Sequence, residues 1–423
     1  MDRCALLSFV VVTWMCVTSC GEMPRNDWPV TRRDSAGVRI VDNREPVWTS
    51  ITAWTVASSP SLVISDATHP TAQTPLDPIA VWFTSDGEIV VADGNQNGWD
   101  AFLVYSRRGE FRRRVSRAGA GPGEFGQLLR AFPYRGDSLL GFDTAGQSVA
   151  LFGVDGGFSR EVRLPSLGAP SEPAAGTYPL MGHVLGAFSD GRILYTSLGV
   201  LALAEPGFAW YERELVRLSP MATVEDSLGL ARAYQMHWSG TDSRMAPFTP
   251  STAYAVVDST FMAVSGESLE VREFNRDGAL LRIIRHPLER AAVTAADRED
   301  ARSWWLDALR IPPTGPSQRR ELVFADMDGW GYPDYKPAAS DVVIDDAGYV
   351  WVEQFRWILN EYVAPKPTST LWSVFDPTGR WLGVVEVPAR FILHAVQNAR
   401  IIGVSLDETD LASIHVLDLD RRS

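Results

Sequence analysis

The side chains best suited to chemistry are aromatic and arginine residues gathered in one stretch: Trp304, Trp305, Trp330, Tyr332, Tyr335 and Trp357, with Arg319, Arg320 and Arg356 among them. Large rings beside guanidinium groups suit a peptide, a sugar or another organic ligand, because they bury much area at little entropic cost. Trp330, Tyr332, Tyr335, Arg319, Arg356 and Trp357 are therefore the candidate ligand-binding residues. Trp304 and Trp305 have a structural role open to them as well, which is to pin a helix to the layer beneath it.

Other chemistry is sparsely represented. The sequence has no Gly-x-Ser-x-Gly elbow, His-Glu-x-x-His pair, Walker loop or EF-hand. The six histidines, His69, His183, His237, His286, His394 and His415, are not paired at metal-ligand spacing. No cofactor is predicted. The openings for Ca2+ or another divalent metal are Asp93 and Asn95, in a loop that also holds Asn97 and Asp100, and His183 with His394, which fall on inner strands of opposed repeats. The loop matches no complete Ca2+ motif, and Asx-rich hairpin loops are common without metal.

The elements that position these residues are strands. Pro78–Ser85, Ile89–Ala92, Ala101–Ser106 and Glu110–Arg117 are aromatic and β-branched runs, the first and last pairs joined by tight turns at Asp86-Gly87 and Arg108-Gly109 and the middle pair by the longer loop Asp93–Asp100, followed by the corner Gly119-Ala120-Gly121-Pro122-Gly123-Glu124-Phe125. Such alternation marks antiparallel hairpins. Four strands in roughly 45 residues match one propeller blade. The pattern recurs over about 77–118, 127–165, 178–236, 251–286, 338–388 and 390–420. The last segment is one strand short, and an open blade edge is a liability; the free strand Trp54–Ile64 is the expected donor that closes the ring. Gly37–Val41 is a further strand with no assigned partner. Between the fourth and fifth blades, 287–337 is an insertion. Thr294 and Asp297 form a capping box. Ala301, Trp304, Trp305, Ala308 and Leu309 fall on one helical face, and Pro312 and Pro313 end the helix.

The Gly119–Phe125 corner resembles the repeat junction of NHL-type six-bladed β-propellers, and the whole chain resembles bacterial six-bladed propeller lipoproteins. The expected fold is therefore all-β: a six-bladed β-propeller of four-stranded antiparallel blades over 37–423, with a helical insertion. In such blades the a–b and c–d turns share one face and the b–c and d–a connections the other. Here the first set is tight and the second long, so the long-loop face is the expected working face. The reading is a binding module for an unidentified small molecule, peptide, glycan or protein. The alternative is a lactonase, hydrolase or lyase with a metal in the channel, which rests on fold analogy.

The N-terminus predicts an address. Cys4–Val17 is apolar and short, and Val17-Thr18-Ser19-Cys20 resembles a bacterial lipobox. The resemblance implies a signal peptide over 1–19, lipidation of Cys20, a polar tether over 20–36 and a membrane-anchored protein. Gly21 favours the outer membrane. Cys4, Cys16 and Cys20 are the only cysteines, so a processed chain has no internal disulfide to hold it. A net charge of −13 argues against a nucleic-acid partner.

Overall fold

Each Asp-Gly-type corner closes a hairpin, because glycine adopts the left-handed backbone that a tight turn requires; Gly87 (φ 83°) and Gly191 (φ 86°) are examples. The computed structural model describes residues 29–65, 76–94, 100–153, 155–165, 179–180, 182–197, 199–200, 205–240, 243–308, 318–329, 331–355 and 369–421. Their hairpins build six antiparallel blades. The inner strands are Pro78–Phe83, Leu128–Tyr134, His183–Ala187, Ala253–Val257, Ala339–Ile344 and Phe391–Gln397. Each contacts the next, and the sixth contacts the first, so the ring is closed.

The core lies between blades. Phe83, Val91 and Leu103 of blade 1 pack on Ile402, Val404 and Ile414 of blade 6. Phe102 and Val104 of blade 1 meet Phe125 and Phe152 of blade 2. Equivalent clusters join the remaining neighbours. The Gly/Pro corner serves this packing. Phe125 is fully buried, with its ring 5.8 Å from both Phe102 and Phe152. A Cβ at Gly141 would fall 2.4 Å from the Phe125 ring, so only glycine fits beneath it. Glu124 accepts the Gly121 N–H at 2.9 Å and pairs with Arg117 at 2.6 Å. It therefore ties the corner together.

Blade 6 contributes Phe391–Gln397, Arg400–Leu406 and Ala412–Asp420; its outer strand comes from the N-terminal region. That donor is two short pieces rather than one strand over 54–64. Leu62–Ile64 pairs with Val416–Ile414, and Thr55–Val56 pairs with Asp420–Leu419. Trp54 locks the junction. It is 7% exposed, and its ring lies 4.9 Å from Trp48, 5.1 Å from Tyr349 and 5.9 Å from Trp351. Arg421 lies 4.5 Å above the Trp54 ring and pairs with the fully buried Asp345 carboxylate at 2.7 Å.

Two features depart from the sequence reading. The first strand region, around Gly37–Val41, is one arm of a hairpin, Val30–Ser35 with Val38–Asn43. The second arm adds in parallel to the outer strand of blade 4, Leu280–Arg285. The insertion holds two helices: α1 (Ala295–Ala308) and α2 (Gln318–Asp328). In α1 the Thr294–Asp297 capping box forms reciprocally: the Thr294 N–H donates to Asp297 Oδ2 at 2.9 Å, and the Asp297 N–H donates to Thr294 Oγ1 at 3.2 Å. Its buried side includes Leu306 as well as Ala301, with Trp304 and Trp305 half-buried. In α2, Val323, Phe324 and Met327 face α1 and the propeller. Burying Met327 completely contributes about 2 kcal/mol.

Candidate functional site

The strand pair Gly207–Leu218 and Val224–Trp238 in blade 3 is much longer than the four-residue strand Ile193–Thr196 beside it. The excess projects on the long-loop side, where Phe208, Ala246 and Phe248 pack against Ala301, Trp305, Met327 and Tyr332 of the insertion and Phe355 of blade 5. The insertion is thus docked against the flank that blades 3 and 5 present. Gly331 permits the close fit: at φ 70°, a Cβ there would fall 2.9 Å from the His237 ring.

These walls enclose a cavity of about 530 Å³ at the channel mouth. Below it a second cavity of about 540 Å³ runs between the inner strands of the ring. The mouth cavity lies inside the size range usual for small-ligand sites, about 300–1,000 Å³. Its polar lining comes from four blades: Arg130 of blade 2, His183, Thr196 and Arg213 of blade 3, Tyr254 of blade 4, and Asp341 and Glu353 of blade 5.

Arg213 is its most unusual member. Tyr211, Arg213 and Leu215 share the buried phase of their strand, so a guanidinium occupies a core position and is 7% exposed. It lies 5.5 Å from the Tyr211 ring centroid and 5.6 Å from that of Tyr234. Its Nη1 donates a long hydrogen bond, 3.4 Å, to Thr196 Oγ1, and its Nε has no partner. Beside it, burial first, then the charges of Arg213 and Arg130, push the His183 imidazole down to about 3. His183 is therefore neutral at physiological pH, and its Nδ1 is buried without a partner. Thr252 Oγ1, on the wall contributed by the blade 3–4 connection, is likewise buried and unpartnered. Burial raises the hydroxyl pKa of Tyr195, Tyr211, Tyr234 and Tyr254, so these groups stay neutral around the cation.

The residues singled out from sequence are distributed differently. Tyr332 is half-buried within the insertion's core, 6.4 Å ring to ring from Phe248, with the Arg298 guanidinium 5.1 Å from its ring. Tyr335 is 51% exposed at the stem of the insertion, where Ala292 bridges to it. Neither lines the mouth cavity. Trp330, Arg356, Trp357, Asn95 and Cys20 lie outside the described residues, as does the side chain of Arg319. His183 opens into the mouth cavity and His394 into the channel below, so the two do not share a cavity. Asp93 is buried and accepts the Asp77 N–H at 2.8 Å, which caps the strand that follows. Desolvation, reinforced by the nearby Asp77 and Asp100 charges, raises its pKa to about 6. Among the described residues no three His, Cys, Asp or Glu side chains are grouped to hold a metal ion.

No protein-family model and no curated protein matches this sequence. Solved structures do. A member of the DUF4221 family from Bacteroides vulgatus is 10% identical, with a TM-score of 0.53 over 88% of this chain and 99% of that chain. The chain is a six-bladed β-propeller. A putative exported protein from Bacteroides fragilis is 12% identical, with a TM-score of 0.47 over 90% of this chain and 99% of that one. A gluconolactonase from Xanthomonas campestris is 15% identical, with a TM-score of 0.35 over 86% of this chain and all of that one. At 10% identity the likeness to the DUF4221 member bears on the fold alone and carries nothing about ligand or reaction. Among the described residues no helix is long and apolar enough to cross a membrane.

Proposed function

We propose that this propeller is a ligand-binding module of the cell envelope, anchored through a lipid on Cys20, that holds a small organic molecule in the mouth cavity of its long-loop face. The observation that carries the binding reading is that His183, Arg213 and Thr252 line one cavity and each has a buried side-chain polar atom without a partner, Nδ1, Nε and Oγ1 in turn. An unsatisfied buried polar group costs about 1–3 kcal/mol. Three in one place are costly for folding and useful for a ligand that completes them. The rigid ring beneath supplies preorganisation, which lowers the entropy lost on binding. The anchor rests on Val17-Thr18-Ser19-Cys20.

The test is a screen of small organic metabolites by ligand-observed NMR on the protein, followed by substitutions on each face. Thr252→Trp, which fills the cavity, should abolish binding of any hit. Arg108→Ala, on an exposed tight turn of the opposite face, should leave it intact. The reverse pattern would place the site on the other face.

A further inference from the structure

The way this chain treats its other buried arginines makes Arg213 informative. Arg282, also 7% exposed, pairs with Glu273 at 2.7 Å. Arg217, whose side chain is 13% exposed, pairs with Glu225 at 3.1 Å and also with Asp277. Arg213 is as buried as Arg282, yet no carboxylate lies within 4.0 Å of it among the described residues, and its polar neighbours are neutral hydroxyls: Thr196 at 3.4 Å, and those of Tyr211 and Tyr234. A buried cation without a counter-charge is strongly disfavoured. The tyrosine rings around it offset part of that cost by cation–π attraction. They do not supply an anion, because their hydroxyls remain protonated.

Resting on the mouth-cavity reading above, we infer that the missing counter-charge belongs to the ligand and that the ligand is an organic carboxylate, received by Arg213 with His183 and Thr252 completing its hydrogen bonds. A guanidinium presents its donors in a planar fork that matches a carboxylate. His183 adds hydrogen-bonding capacity without adding charge. The blade 5 part of the lining carries Asp341 and Glu353, and carboxyl groups there disfavour a dianion such as a phosphate monoester more strongly than a singly charged carboxylate. The rest of the ligand meets apolar groups, Leu129, Leu185 and Phe355, so a carboxylate on an apolar or aromatic body fits the lining.

The experiment uses the whole protein labelled with 15N-arginine and follows the Arg213 Nε–H resonance, assigned by its loss in Arg213→Lys. The probes are phenylacetate, phenylacetamide and phenylphosphonate, which share one body and differ in the head group. Phenylacetate should shift the resonance saturably and bind at least about tenfold tighter than the amide, as expected for a charge-assisted pair in a buried site. Arg213→Met should erase that preference while raising the melting temperature of the ligand-free protein, because an uncompensated buried charge has been removed. Equal affinity for acid and amide, or tighter binding of the phosphonate, would overturn the carboxylate assignment while leaving the cavity as the site. Failure of every probe to perturb any cavity resonance would overturn the assignment together with the cavity reading. A lower melting temperature for ligand-free Arg213→Met would also overturn it, by showing that the arginine serves the fold.

Discussion

Closure of the ring should depend on Trp54 more than on any other side chain of the N-terminal region. Trp54 is 7% exposed, meets three aromatic neighbours within 5.9 Å and is covered by Arg421. Removing a buried tryptophan side chain costs about 3–5 kcal/mol, because the transfer energy is lost and a cavity is left. Arg421→Ala acts on the same junction from the other terminus. It leaves the Asp345 carboxylate, which is fully buried, with the Ala347 and Tyr349 N–H groups as donors at 3.0 and 2.8 Å and the Trp351 indole N–H at 3.4 Å. Those remaining bonds hold the loss to about 1–2 kcal/mol, below the 3–5 kcal/mol of a fully orphaned buried charge. Because Arg421 stacks on Trp54, the two effects should not add; a coupling of about 0.5–1 kcal/mol is expected from the lost cation–π contact. Urea unfolding of the wild type, both single variants and the double variant, read by tryptophan fluorescence and by circular dichroism, gives the complete cycle. A loss below about 1 kcal/mol for Trp54→Ala would show that the ring is held elsewhere. Strict additivity would show that the two termini are not clasped to each other.

Three further outcomes follow from the same structure. The His183 imidazole has a folded value of about 3 against an ordinary 6.5, so the unfolded chain binds the extra proton between those values. Its contribution to stability is complete above pH 6.5 and is lost as pH falls towards 3. Wild type should therefore lose about 2–3 kcal/mol more than His183→Gln between neutral pH and about pH 4.5; parallel pH profiles would refute it. Asp93 is raised to about 6 from 3.8, so its sign is opposite and stability falls as pH rises through that window. Asp93→Asn keeps the acceptor for the Asp77 N–H and should stabilise the protein by about 1–3 kcal/mol at neutral pH; destabilisation on calorimetry would reopen Asp93 as a cation ligand. Cys20→Ser should abolish labelling by a fatty-acid probe and release the protein from membranes, and an unlabelled wild type would end the lipoprotein proposal.

The repeat was legible because propeller blades are local objects. Each hairpin carries its own Asp-Gly signal and each strand its own alternation, and the missing strand of blade 6 could be deduced from edge chemistry alone. What the sequence hid was non-local. Arg39–Asp42 joins Arg282–Arg285 in parallel, and such a pairing has no turn to announce it. Helix α2 begins Gln-Arg-Arg-Glu, and its short apolar face, Val323, Phe324 and Met327, is obscured by that polar start. Aromatic residues posed a different difficulty. A ring that packs a core and a ring that holds a ligand look alike in one dimension, and Tyr332 proved to belong to the insertion's core. Arg213 did leave a trace. In Tyr211-Glu212-Arg213-Glu214-Leu215 the alternation puts the arginine in phase with Tyr211 and Leu215. A charge at an apolar phase of a central strand marks either an ion pair or a site, and only the three-dimensional arrangement separates the two.

The central claim is that the mouth cavity is where this propeller meets its ligand. Its most direct test is a crystal structure of the protein after incubation with the best hit of the metabolite screen, with hydrogen–deuterium exchange in solution as its check. Density is expected between Arg213, His183 and Thr252, with slowed exchange confined to the strand ends and connections around that cavity. Density or protection at the tight-turn face, or in the lower channel beside His394 with the mouth left unchanged, would contradict it.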